Sequence, residues 1–148
     1  MVDTLSPQGR SERMSRIRSK DTKPELGLRK ALHATGLRFR LDNRTLPGKP
    51  DLVLPRHRSV IFVHGCFWHR HPCCKVATMP KSNTEFWLDK FQRNVARDAT
   101  VAQKLEESGW RVFVAWECEL GSQAARDAKA ADLAARIRGH GHSLLVNN

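Results

Sequence analysis

Apolar and polar positions along this chain follow two rhythms, and the switches between them outline an α/β arrangement. In "DTKPELGLRKALHATG", Leu28, Ala31, Leu32 and Thr35 share one side of a helical wheel. Thr22 and Glu25 have capping-box spacing, Pro24 suits a first turn and Gly36 a stop, so a helix is expected from Lys23 to Thr35. "LRFRL" (37–41) alternates apolar with basic residues, as a half-buried strand does. Pro47-Gly48 marks a turn. "DLVL" (51–54) and "SVIFV" (59–63) are continuous apolar runs, which suit short strands of a sheet covered on both faces. "KSNTEFWLDKFQRNVARDATVAQKLEESG" reads as the longest helix, capped near Asn83 or Thr84 and ended by Gly109. "WRVFVAWECE" is a further strand ending in Glu117-Cys118, and an alanine-rich amphipathic helix from about Gln123 to Arg138 flanks the sheet.

Composition adds partners to this outline. Residues 1–20 are polar and basic with few apolar side chains beyond Met14 and Ile17, which reads as a flexible arm that orders on a partner. Residues 21–148 are expected to form one domain, C-terminal helix included. No apolar run approaches a membrane span and the start lacks a signal-peptide pattern, so a soluble cytoplasmic protein is expected, its cysteines reduced or holding metal. Net charge is +11, and its distribution is uneven: residues 1–100 carry 20 Lys+Arg against 9 Asp+Glu, residues 101–148 six of each. An excess confined to the first two thirds points to a polyanion partner.

Three histidines and three cysteines fall within residues 64–74. Cys66, His71 and one of Cys73 or Cys74 can converge because the loop is short. Cys118, like Cys66, falls just past a strand end, so the two thiols meet if those strands are neighbours. Three thiolates and an imidazole make a closed tetrahedral zinc set with no open position for catalysis. The competing reading, buried free cysteines with surface histidines, leaves that density unexplained.

His64 and His69 are left over. Asp51 opens one strand and Val63-His64 closes the next, so a hairpin sets a carboxylate beside a strand-end carbonyl, a hard-oxygen pair suited to Mg²⁺. Asp98 falls in the helical stripe of Phe91, Val95, Ala102 and Leu105. An acid there calls for a partner, and an Asp–His pair orients an imidazole as a general base. Glu25 is explained equally by its capping box. Phe67 and Trp68 are odd for an exposed loop; beside a basic face, with Trp87, such aromatics can wedge between bases, or else pack in the core.

Taken together, "SKDTKPE", "LPGKPDLVL", "VIFVHGCFWHRHPC", "TEFWLDKFQRNVARD" and "GWRVFVAWEC" resemble, in order and spacing, the very-short-patch repair (Vsr) DNA mismatch endonucleases over roughly residues 14–120. The resemblance implies a restriction-endonuclease-like domain: a central mixed sheet flanked by helices, with an inserted structural zinc site. It implies Mg²⁺-dependent nicking 5′ to the T of a T:G mismatch, the product of 5-methylcytosine deamination, in double-stranded DNA. Carried over by position, Asp51 holds Mg²⁺ through its carboxylate and Val63 through its main-chain oxygen. His69, oriented by Asp98, activates the attacking water, while His64 stabilises or protonates near the scissile phosphate. Glu25 sits at the periphery, holding metal-bound water. Cys66, His71, Cys73 and Cys118 hold Zn²⁺, leaving Cys74 free. Phe67, Trp68 and Trp87 enter the duplex beside the mismatch, where a mispaired step unstacks cheaply. A monomeric, nucleoid-associated bacterial protein, in contact with other mismatch-repair proteins, fits the same picture.

Three departures stand out, one being that "FVH" (62–64) stands where the usual restriction-nuclease pattern has a second acid and a lysine, which fits a histidine-assisted variant. Position 63 is Val where members carry Thr, which is tolerable if only the backbone oxygen is used. Arg70 follows His69 where a histidine is usual. Two other functions compete: a zinc-stabilised DNA-binding module without cleavage, and a restriction-type nuclease cutting both strands of matched DNA.

Overall fold

The computed structural model describes residues 21–41 and 44–143, with side chains through residue 139. The basic arm expected over residues 1–20 lies outside the described residues. Helix α1 spans Lys23–Ala34 and is entered through Thr22, whose hydroxyl accepts from the Glu25 N–H at 3.4 Å. The other half of the capping box does not form: the Glu25 carboxylate, 3% exposed, turns to the Arg29 guanidinium one helical turn on. Thr35 closes the helix and Gly36, at φ +94°, turns the chain away.

A three-stranded mixed sheet follows. β1 (Leu52–Leu54) and β2 (Ser59–His64) pair antiparallel through a 3₁₀ turn at Pro55–His57, with Leu52 opposite Ile61. β3 (Arg111–Trp116) lies parallel to β2, with Val63 opposite Ala115 and His64 opposite Trp116. A parallel neighbour needs a long crossover, and helix α2 (Thr84–Glu107) supplies it. Its exit is set by Gly109 at φ +88°. A 3₁₀ turn at Glu117–Leu120 leads from β3 into helix α3 (Gln123–Ser143), which runs five residues beyond its expected end. The expected strand at 37–41 is reduced to one bridge, Arg40 with Val53, although its alternation persists: Leu37 is buried and Phe39 packs on the core. Leu41 is 47% exposed, so no apolar contact carries the pairing further.

Side-chain alternation sorts the strands onto two cores. Leu52, Leu54, Ile61, Phe113 and Ala115 face Leu28 and Leu32 of α1 and Leu133 and Ile137 of α3. Val53, Val60 and Phe62 face Leu105 of α2, with Val101, Val112 and Val114 packed alongside. Each fully buried leucine contributes about 1.5–3 kcal/mol, and truncating one such as Leu133 costs about 2–5 kcal/mol. The continuous apolar strands therefore mean a sheet covered on both faces. One turn fixes where the site begins. Gly48, at φ +71°, comes so close to α2 that a Cβ there would lie 2.3 Å from a Val101 methyl, and this contact seats the loop that delivers Asp51.

Candidate active site and metal cluster

The chemistry collects where β2 and β3 end side by side. Asp51 lies one residue before β1, and antiparallel register brings it beside the end of β2: its Oδ2 accepts the Val63 N–H at 2.7 Å. The Val63 side chain packs against the first core, so this residue meets Asp51 through its backbone. Burial pushes the Asp51 carboxyl up to about 6; the Val63 N–H opposes this, the Glu25 charge adds to it, and Arg29 and His69 pull the other way. Glu25 and His69 thus both bear electrostatically on Asp51. Arg29 bridges Glu25 and Asp21, the latter at 2.8 Å.

His64 ends β2, and His69 follows the turn that begins at Gly65. The imidazoles stack, centroids 3.9 Å apart and planes 4° from parallel. Nδ1 of His69 is 2.6 Å from Oδ2 of Asp98, which α2 carries across 29 residues of sequence. Asp98 has found the histidine partner its place in an apolar stripe demands. Burial first, and the neighbouring His69 second, push His64 down to about 4, with Asp98 opposing. An apolar groove of about 340 Å³ between α2 and the sheet, lined by Phe62, Val95, Ala102 and Val114, runs up to this trio and lowers the local dielectric.

The cysteines gather next to it. Cys66, His71, Cys74 and Cys118 offer ligand atoms all within 4.8 Å of one another, and Sγ of Cys118 is 3.4 Å from Nδ1 of His71. Cys66 and Cys118 meet because β2 and β3 are neighbours. The third sulfur of this group is that of Cys74, where Cys73 was expected. Cys73 is held at φ +56° and exposed, and the chain turns through it to bring the following thiol inward. The donor set fits zinc: a tetrahedral ion with metal–sulfur distances near 2.3 Å separates its donors by roughly 3.5–3.8 Å. A Val76 N–H holds Cys74 down to about 7, while burial and the other two thiols push Cys118 up to about 12.

Trp116 links the two centres, stacking on His71 (4.3 Å, 12°) and meeting His64 edge-on at 5.3 Å. Nothing in the spacing marks this residue beyond its place before Glu117-Cys118. Phe67 and Trp68 ride on the same turn, half-buried, with ring centroids 5.1 Å apart. Trp87 backs them from α2, 5.6 Å from Phe67 and only 6% exposed, and its indole N–H is buried without an acceptor. Asn94 escaped the sequence reading, which gave Arg70 no role. Asn94 donates to the Trp68 carbonyl at 3.1 Å, and Arg70 donates to that of Phe67 at 3.2 Å.

Fold and site together define a class: a small α/β protein in which a histidine–carboxylate centre shares a sheet end with a Cys/His cluster able to hold metal. Residues 2–75 match the family model described as DNA mismatch endonuclease Vsr. A type II nicking enzyme, V.XorIIP of Xanthomonas oryzae, is 47% identical over 129 residues, spanning 87% of this chain and 94% of that protein. Another nicking enzyme, V.NmeAIP of Neisseria meningitidis, is 46% identical over 124 residues, 84% of this chain and 88% of that one. The DNA mismatch endonuclease Vsr of Escherichia coli is 45% identical over 120 residues, 81% of this chain and 76% of its own. The chain belongs to the Vsr family of DNA mismatch endonucleases. Among the described residues, no helix is long and apolar enough to cross a membrane.

Proposed function

We propose that this protein nicks one strand of duplex DNA on the 5′ side of a T mispaired with G, by Mg²⁺-dependent hydrolysis, in a domain of the restriction-endonuclease type. The observation that carries the reading is the crowding of Asp51, His64, His69 and Asp98 at one sheet end, in a chain related throughout to nicking and mismatch endonucleases. Net charge of +11 supplies the attraction to phosphate.

The geometry supports the following roles. Asp98 fixes the ring of His69 through Nδ1, which leaves Nε2 to take a proton from the attacking water. His64, stacked on that ring, is neutral in the free protein; a phosphate beside it restores its affinity for a proton and lets it donate near the leaving oxygen. Asp51 and the Val63 carbonyl would hold Mg²⁺, with Glu25 ordering water at the edge. The raised Asp51 carboxyl suits a site where a cation would relieve its burial. Bound there, Mg²⁺ would supply charge stabilisation at the phosphate oxygens. Zn²⁺ on Cys66, His71, Cys74 and Cys118 would clamp the turn carrying His69, Phe67 and Trp68.

Phe67 and Trp68 would lead the insertion beside the mismatch. Trp87 stands behind them, and the cost of its unpaired indole N–H would fall if that ring moved out onto the bases. A panel of strand-labelled duplexes bearing each mismatch tests the reading. Nicking of the T strand of T:G alone supports it, whereas equal cutting of both strands in matched DNA would replace it with a restriction activity.

A further inference from the structure

Arg70 lies in sequence between His69, which pairs with Asp98, and His71 of the Cys/His cluster. Its backbone is left-handed, at φ +54°, a conformation a side chain other than glycine adopts only where its surroundings hold it. The guanidinium supplies that hold. Nη1 donates to the carbonyls of Phe67 (3.2 Å) and Thr78 (3.0 Å), and Nη2 to that of Ala77 (3.0 Å). Its central carbon lies 4.1 Å from the centroid of the Phe91 ring and 5.7 Å from that of Phe67.

These contacts join three separate pieces of chain. Phe67 begins the aromatic pair, Ala77 and Thr78 lie on the loop that leaves Cys74, and Phe91 belongs to α2. Every interaction described runs to a backbone carbonyl or an aromatic face, so the cation is turned into the framework. Only a planar fork can serve several carbonyls while sitting over a ring face; a lysine ammonium, a single point with a hydrated charge, cannot.

We propose that Arg70 is a positioning residue that braces the Phe67–Trp68 wedge against α2 and the 77–78 loop, and so sets how completely the mismatched step is unstacked. The inference rests on the nicking function proposed above. It distinguishes mismatch recognition, which needs a stiff wedge, from general attraction to DNA, which needs only charge.

The test uses full-length wild type, Arg70→Lys and Arg70→Ala, with zinc content measured for each. Each is bound to matched and T:G duplexes carrying 2-aminopurine beside the central pair, whose fluorescence rises on unstacking. Arg70→Lys keeps the charge and is expected to keep its zinc and its affinity for matched DNA. It should lose most of the fluorescence rise on T:G, and its preference for T:G in single-turnover nicking should fall about tenfold or more, as misplacement of a rigid group does. Should Arg70→Ala fail to fold, Arg70→Lys still decides.

Arg70→Lys indistinguishable from wild type in fluorescence and preference would overturn the brace. So would an equal loss of affinity for matched and T:G duplexes in Arg70→Ala with a salt slope reduced by about one, the mark of a direct phosphate contact. If wild type itself neither nicks T:G nor raises the fluorescence, it is the proposed function that fails, and the two failures are thereby told apart.

Discussion

The carboxylate of Asp98 stands 2.6 Å from Nδ1 of His69, a residue 29 positions earlier in the chain. That separation fixes the tautomer in which Nε2 is the free acceptor. Asp98→Asn keeps the shape but removes the charge that stabilises an imidazolium. It should lower single-turnover nicking by about 10²–10⁴-fold, the usual contribution of a positioned acid–base pair, with matched-duplex affinity unchanged. A rate within about twofold of wild type would remove the pair from the mechanism.

Asp51 is a liability to the metal-free fold. Its carboxyl is raised from the usual 3.8 to about 6, so between those values the folded chain binds more protons than the unfolded one. Stability therefore falls as the pH rises through that window, and the loss is complete above it. Asp51→Asn, melted in Mg²⁺-free buffer at pH 8, should be more stable than wild type by roughly 1–2 kcal/mol once partial exposure is discounted. The gain should vanish near pH 4. A variant that melts lower than wild type at pH 8 would contradict this.

His64 moves in the opposite sense. Lowered from 6.5 to about 4, it leaves the unfolded chain with more protons between those values, so this group costs stability as the pH falls from 6.5 towards 4. Its ring protons, followed by NMR in DNA-free protein, should titrate well below 6.5, and binding of duplex should raise the midpoint. An unshifted midpoint in free protein would mean that the ring is not enclosed as described.

The sulfur set separates two adjacent cysteines. Cys74→Ser and Cys118→Ser should each lose bound zinc and at least about 2 kcal/mol of stability, because structural zinc contributes folding free energy directly. Cys73→Ser should retain both. The reverse result, with zinc lost from Cys73→Ser and kept by Cys74→Ser, would restore the ligand set expected from the resemblance.

Much of this was legible in the sequence because the strands are short, apolar and bounded by turn residues. The β2 and β3 runs fixed where Cys66 and Cys118 would emerge, and parallel pairing then brought them together. Asp98 was legible for a simple reason: a lone acid in the Phe91–Leu105 stripe demands a partner. The alternation at 37–41 overstates the strand because it reports which side chains face inward, not whether neighbouring backbone pairs; among the described residues there, Arg40 alone pairs, with Val53. Cys73 against Cys74 turned on a single left-handed residue, which adjacent identical side chains cannot reveal. The roles of Arg70 and Trp116 are illegible in the sequence for a related reason. Their partners are carbonyls and ring faces, and these leave no mark in residue type.

The most direct measurement is Mg²⁺-dependent nicking of a T:G duplex labelled on each strand, by wild type and by Asp51→Ala at equal saturation with DNA. Wild type should cut the T strand 5′ to the mispaired base, and Asp51→Ala should bind the duplex and leave it intact. Undiminished cutting by Asp51→Ala would show that the carboxylate beside Val63 is not where the phosphodiester is broken.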